Sequence, residues 1–377
     1  MIYFDNAATS FPKPENVLRA LDLANRNYAF NAGRGGYRQA NNAQNIIIEL
    51  KHALCDMVNI PKSEKNVYLT ESATLAMNVL IQGLGINEES NIYVSPFEHN
   101  AVMRPLELLR QRVGFSLIVI PYDAKLNIMT DNFRHLNALK PADFVFLNYA
   151  SNVLGNIIDI STIQEIVKSS SAKIIVDASQ ALGLLPIDLD KLEIDYLIFA
   201  SHKTLYGPIG LGGIVSSNIQ SLTPFLAGGT GNDSLNLKTE KVVDIGSPNV
   251  VAAYGLFEAI KWINDLSVEI VHKHVMRLTK SAINQIEEIS SITILGDKNK
   301  IQTGIIPIIH KGYTPNELAM VLDLDFDIAV RAGYQCAPLI HEVLGTISSG
   351  GVLRISMGYF NTMEDVERLI NALSEIN

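Results

Sequence analysis

Between residues 64 and 215, short and almost wholly apolar runs alternate with longer stretches of helical periodicity. The apolar runs predict strands at 66–69, 91–94, 116–120, 144–149, 173–177, 196–200 and 211–215. Parallel strands covered on both faces read as continuous apolar segments, and the middle runs have that character. Strand and helix patterns that alternate with short turns predict a doubly wound, mostly parallel α/β sheet.

The pattern changes after residue 215. A glycine-rich loop, Gly228-Gly229-Thr230-Gly231, leads into a polar stretch that ends near Asp244. Pro248 then opens a long helical pattern running through Trp262 toward Glu288, with a bend or break expected near Asp265. Two strand-like runs, 292–295 and 304–309, precede a helix with strong start signals. Thr314 is the cap, Pro315 takes the first helical position, and Glu317 follows three residues after the cap. Two more strands, 328–331 and 352–356, and a last helix capped by Thr362 complete the chain. These elements predict a large domain over 15–250 and a smaller α+β domain made from 1–14 and 251–377. The N-terminal segment to about Pro14 should be extended and lie near the active site.

Composition narrows the function classes. The chain has 377 residues, enough for two cores, and its formal charge is −9. A binder of phosphate backbones would be basic, so nucleic acid is not expected as a partner. No apolar run reaches the roughly 18 residues that span a bilayer. The start, Met1-Ile2-Tyr3-Phe4-Asp5, lacks the basic and apolar regions of a signal peptide, so a cytoplasmic location is expected. Two cysteines, Cys55 and Cys336, make no disulfide framework. Cys55 sits in a helical run between Leu54 and Met57 and reads as a small buried hydrophobe. Cys336 lies in a Gly- and Pro-punctuated segment that reads as a loop.

Candidate chemistry gathers at strand ends. The run Ile174-Ile175-Val176 ends in Asp177, and Leu197-Ile198-Phe199-Ala200 is followed by Ser201-His202-Lys203. Asp177 and Lys203 are 26 residues apart (203 − 177), about one strand–helix–strand unit. Pyridoxal phosphate needs such a pair: a lysine to form a Schiff base with its aldehyde, and a carboxylate to keep its pyridine nitrogen protonated. Ligands of open α/β sheets bind beyond the carboxyl ends of the strands, where Asn148, Ser151, Asn152 and His99 also fall. Leu69-Thr70-Glu71-Ser72-Ala73-Thr74 ends a strand and opens a helix, whose N–H groups and Thr74 hydroxyl suit a phosphate. Each feature has a plainer reading: a strand-terminal Asp is often a helix cap, and a lone His is often structural. There is no Walker A sequence, and no dinucleotide fingerprint in a strand–turn–helix setting. His272 and His274, two apart on a helix, cannot face one ligand, so no metal is expected.

Several short motifs occur together along nearly the whole chain. They are Asp5-Asn6-Ala7-Ala8-Thr9, Glu98-His99, Ser151-Asn152-Val153-Leu154-Gly155, Asp177-Ala178-Ser179-Gln180-Ala181, His202-Lys203 and Gly246-Ser247-Pro248-Asn249. Arg331-Ala332-Gly333 before Cys336, and Arg354-Ile355-Ser356, complete the set. In this order and spacing the chain resembles the class V aminotransferase-like pyridoxal-phosphate enzymes of fold type I. Within them it resembles the second group of cysteine desulfurases, to which selenocysteine lyases are close.

The resemblance implies roles. Lys203 would hold the cofactor covalently and move protons, and Asp177 would pair with the pyridine nitrogen. Gln180 and Asn152 would hydrogen-bond the ring oxygen or the substrate. His99 would stack on the ring and transfer protons. Ala73, Thr74 and His202 would bind the phosphate, joined by Ser201, which stands one place after the usual serine position, now Ala200. Ser247 would reach the phosphate of a neighbouring subunit, implying a homodimer with shared sites. Arg354 would clamp the substrate carboxylate through a bidentate fork, with Arg331, Ala8 and Asn152 as further substrate contacts. Cys336 would attack the sulfur of L-cysteine, or the selenium of L-selenocysteine, and pass it to an acceptor protein. Other outcomes within the family are carbon–sulfur lysis and transamination of another amino acid. The chain departs from the second group in two places. Tyr334-Gln335 replaces two histidines before the cysteine, leaving Arg331 as the nearest basic residue in sequence. Gly33-Arg34-Gly35-Gly36-Tyr37-Arg38 replaces a histidine-bearing loop, with Tyr37 in the histidine's place.

Overall fold

The computed structural model describes residues 1–33, 35–229 and 235–376. Arg34, and Thr230 and Gly231 of the glycine-rich loop, lie outside the described residues. The chain begins with β1 (Ile2–Tyr3), α1 (Glu15–Asn27), α2 (Arg38–Met57), β2 (Val67–Thr70) and α3 (Ala73–Gly83). It continues through β3 (Asn91–Val94), α4 (Asn100–Val113), β4 (Ser116–Val119), α5 (Thr130–Leu139) and β5 (Phe144–Asn148). Then come α6 (Ile160–Val167), β6 (Lys173–Asp177), β7 (Tyr196–Ala200) and β8 (Gly212–Val215). The C-terminal part holds α7 (Val250–Leu266), α8 (Val268–Ile286), β9 (Ile292–Ile294), β10 (Ile305–His310), α9 (Pro315–Phe326) and β11 (Ile328–Ala329). It ends with β12 (Arg331–Gly333), α10 (Pro338–Val343), β13 (Val352–Ser356) and α11 (Met363–Glu375).

All seven expected strands join one sheet, in the order β2-β8-β7-β6-β5-β3-β4. The five strands from β4 to β7 run parallel, and β8 is antiparallel to both its neighbours. β6 and β7 are buried along nearly their full length, which explains their continuous apolar sequences. The chain steps outward from β3 to β4, then returns to the other side of β3 to lay down β5, β6 and β7. The order therefore reverses beside β3, and a crevice opens there beyond the strand carboxyl ends.

A second sheet, β12-β13-β10-β9, is antiparallel and packs with α8, α9 and α11 around its own core. The long helical pattern breaks at Ser267, whose φ of 71° ends α7 and whose hydroxyl caps α8. Packing changes over at that break. Leu256 and Ile260 of α7 join the core of the large sheet, whereas Leu278 and Ile286 of α8 join the second core. The capping boxes at Thr314 and Thr362 form as their sequences suggest. The expected 328–331 strand divides in two, because β11 pairs with β1 while β12 pairs with β13. Among the described residues, no helix is long and apolar enough to cross a membrane.

The N-terminal segment acts as a strap between the two sheets. β1 pairs in parallel with β11, and Asp5 bridges to Ser356 of β13. Further on, the Ser10 amide donates to the carbonyl of His202, 2.8 Å away, in the turn after β7.

Candidate active site

The parallel strands deliver Asp177 and Lys203 to a cavity of about 240 Å³ at the sheet's carboxyl edge. Asp177 is the last residue of β6 and is buried, with one carboxylate oxygen held by the Ser179 amide at 2.9 Å. Lys203 stands three residues past β7. Burial pushes its pKa down, the Asp177 charge pulls it up, and Arg354 and Arg331 push it down again. An amine held this way is more readily a nucleophile than a surface lysine.

His99 borders the same cavity. It caps α4, and its Nδ1 accepts the Ala101 amide at 3.0 Å. Burial, and then the charge of Lys203, lower its pKa to about 4. The ring is therefore neutral at pH 7, and with Nδ1 an acceptor the hydrogen sits on Nε2. Its neighbour Glu98 is buried and accepts hydrogen bonds from Ser95 Oγ at 2.5 Å and the Asn148 amide at 2.6 Å. Burial raises that carboxyl to about 8, so Glu98 keeps its proton at neutral pH.

A further wall is the start of α3, where Ser72, Ala73 and Thr74 line the cavity. β8 lies so close that a Cβ on Gly212 would sit 2.6 Å from the Ala73 nitrogen. Only glycine lets the strand pass this helix N-terminus, a natural anion site. His202 adds a neutral ring, its pKa lowered to about 4 by burial and by Lys203 and Lys13. Its Nδ1 is buried with no partner among the described residues.

The second sheet supplies the facing side. Arg354 of β13 is 2% exposed and Arg331 of β12 also lines the cavity. Arg354 Nη2 donates to Asp5 Oδ1 at 2.7 Å and Nη1 to the Asn152 carbonyl at 3.0 Å. A guanidinium has five N–H donors, so these two bonds leave hydrogens for a bidentate carboxylate. Asn152 and Ala8 line the cavity too, and Asn152 Oδ1 has no partner among the described residues.

Cys336 opens onto the same space. It and Gln335 both have positive φ, 57° and 49°, a conformation non-glycine residues adopt only when their surroundings impose it. Three consecutive carbonyls show what imposes it. Tyr334 O is met by His341 Nε2 at 2.9 Å, Gln335 O by Asn152 Nδ2 at 2.6 Å, and Cys336 O by the Asn100 amide at 2.7 Å. The Tyr334 hydroxyl adds a bond to the Ile347 carbonyl at 2.9 Å. The loop is thus fixed by α4, by the turn after β5 and by α10 with the segment after it. His341 is buried, and Thr346 Oγ1 lies 2.8 Å from its Nδ1.

Of the residues to which the resemblance gave a role, Gln180, Ser201, Tyr37 and Ser247 do not line the cavity, and neither do the strand-end candidates Asn148 and Ser151. Gln180 is buried behind it, donating Nε2 to the Ala7 carbonyl at 2.7 Å. Ser201 Oγ points toward Gly207, where an added Cβ would lie 2.3 Å from it, because the turn after Ala200 rotates it away. Tyr37 stands exposed at the N-cap position of α2, without a side-chain cap bond and with its ring edge-on to Phe30, and Ser247 is also exposed. Sequence reasoning assigned no role to Asp5, Glu98, Lys13 or His341. Asp5 and Glu98 stood inside quoted motifs, but their partners are set by the tertiary fold.

The model of the family Aminotransferase class-V matches residues 2–369, and the chain belongs to that family. Within it the chain is similar to a probable cysteine desulfurase from Pyrococcus abyssi, 29% identical, with 100% of this chain and 94% of that protein covered. A probable cysteine desulfurase from Vibrio cholerae is 28% identical over 99% of this chain and 93% of its own length. Among solved structures, a cysteine desulfurase from Thermococcus onnurineus superposes with a TM-score of 0.91 at 27% identity, covering 100% and 94% of the two chains.

The family depends on pyridoxal phosphate, and the site fits that group. A carboxylate and a buried amine share the cavity, the Gly212 gap exposes a helix N-terminus, and Asn152 and His202 have unpartnered polar atoms there.

Proposed function

We propose that this chain is a cysteine desulfurase that converts L-cysteine to L-alanine and keeps the sulfur as a persulfide on Cys336. The observation that carries this reading is that Cys336, Lys203 and Arg354 line one cavity, so a thiol, an amine and a carboxylate clamp converge. When bound, pyridoxal phosphate supplies an aldehyde for the substrate amine and a ring that accepts electron density from the α-carbon. Arg354 holds the substrate carboxylate with the hydrogens that Asp5 and Asn152 leave over. Lys203, its pKa lowered by burial, takes and returns the α-proton. Asp177 would supply the negative charge for the ring nitrogen, while Ala73, Thr74 and His202 would hold the phosphate. His99, neutral with hydrogen on Nε2, would stack on the ring and offer that hydrogen as a hydrogen-bond donor. Cys336 Sγ attacks the substrate sulfur: the S–S bond forms as the Cβ–S bond breaks, and that electron pair stays with the carbon that becomes the methyl of alanine.

In this reading Ser247 and Tyr37, both exposed, meet the site of a second copy in a homodimer. The sulfur then passes to an acceptor protein, and the reaction belongs in the cytoplasm. The test is Cys336→Ser. Alanine formation from cysteine should vanish while the visible absorbance of the lysine-bound cofactor persists. A Cys336→Ser protein with full alanine formation would refute the proposal. Lys203→Ala should lose the absorbance itself.

A further inference from the structure

The His202 carbonyl, in the peptide that joins His202 to Lys203, is unusually crowded with donors. The Ser10 amide reaches it at 2.8 Å, Lys13 Nζ at 3.0 Å, Thr9 Oγ1 at 3.1 Å and Ser10 Oγ at 3.2 Å. A carbonyl oxygen has two lone pairs, so four donors drawn to it form a tight polar knot. Every donor comes from residues 9–13 of the N-terminal strap. Lys13 also donates to Ser10 Oγ at 2.8 Å, which orients that hydroxyl toward the carbonyl.

The same strap carries Asp5, which holds Arg354, and Ala7 and Ala8, which line the cavity between the two contacts. It therefore connects the carboxylate clamp at one end to the lysine-bearing turn at the other. Lys13 is the only charged group in the knot. Burial lowers its pKa to about 8, so it is still mostly an ammonium ion at pH 7. Charge-assisted bonds are roughly twice as strong as neutral ones, so Lys13 dominates the set.

We propose that Lys13 is a positioning residue for Lys203: its ammonium group on the His202 carbonyl fixes the peptide that carries the reactive amine and keeps it in register with Arg354. The inference rests on the proposed function only through the role of Lys203 as the cofactor's attachment point. It assigns Lys13 no contact with substrate or cofactor.

The test uses Lys13→Met and Lys13→Arg. In each, and in wild type, the cofactor is removed and pyridoxal phosphate added back, and covalent capture is followed by borohydride trapping and mass measurement at Lys203. Lys13→Met should slow capture about tenfold and lower kcat for cysteine to a similar degree, with a smaller change in KM. Lys13→Arg should restore most of both, and the thermal midpoints should stay close together. Wild-type capture and turnover in Lys13→Met overturn the proposal, as does a loss that merely follows a drop in stability. If Lys13→Met is insoluble, Lys13→Gln keeps a donor without charge and is read in the same way. Lys203→Ala separates the two ideas. Should it still capture the cofactor covalently, the role of Lys203 fails. If wild type captures the cofactor but makes no alanine, the desulfurase reading fails while the Lys13 comparison still stands.

Discussion

Arg354 is a charged side chain almost wholly removed from water, held by the Asn152 carbonyl and, among the described residues, by one carboxylate. Asp5 provides that carboxylate at 2.7 Å, from 349 residues away in sequence. Removing one partner of a buried pair leaves the other charge uncompensated, which is strongly unfavourable. Asp5→Asn keeps the shape but not the charge, so the guanidinium should lose its fixed fork. The expected result is a KM for cysteine raised about tenfold with a smaller fall in kcat, measured by steady-state alanine formation. An unchanged KM would show that Arg354 orients itself without Asp5. At this scale the sequence revealed residue types and strand-end positions, which singled out Asp177 and Lys203, while Arg354 was named only through the family resemblance. It could not reveal pairings made only when distant segments meet, such as Asp5 with Arg354 or His341 with the Tyr334 carbonyl. The two histidines missing before Cys336 illustrate the same limit. Their replacement was plain in sequence, but the buried imidazole that now ties the loop comes from α10, after the cysteine.

Elements were the most legible level, because burial on both faces writes β6 and β7 as unbroken apolar runs and cap chemistry marks the starts of α9 and α11. β11 and β12 read as one strand because local pattern cannot say that neighbouring residues pair with different sheets. The contact between β8 and α3 was equally hidden. There Gly212 permits a backbone approach that any side chain would block, with an added Cβ 2.6 Å from Ala73 N and 2.7 Å from Ser72 C. Both obstacles are backbone atoms, so they cannot swing aside. Gly212→Ala should push the α3 N-terminus away from β8 and spoil its amide cradle. Pyridoxal phosphate should then bind about tenfold more weakly in an absorbance titration of cofactor-free protein, more than a buried Gly→Ala change alone would cause. Wild-type affinity in that variant would mean the cradle at α3 is not where the phosphate sits.

Across the whole molecule, the site lies where two sheets and the N-terminal strap converge, and the fold holds two imidazoles there in their neutral form. His99 and His202 both have pKa values lowered from 6.5 to about 4, chiefly by burial and then by the charge of Lys203. In the unfolded chain the same rings take up protons near pH 6.5. Between the two values the unfolded state binds more protons than the native one, so stability rises with pH across that window. The contribution of these rings is complete above about pH 6.5 and is progressively lost as pH falls toward 4. Glu98 pulls the other way: its raised pKa makes the native state the better proton binder between about 4.5 and 8. It therefore offsets one of the two histidines over part of the window, and a simple acid scan of one protein would blur them. A comparison of variants isolates the imidazoles. Urea midpoints of cofactor-free protein, taken at pH 7.5 and pH 5, should fall further in wild type than in the His99→Asn, His202→Asn double variant. Equal falls in the two proteins would mean that the fold does not shift these rings from their free titration near pH 6.5.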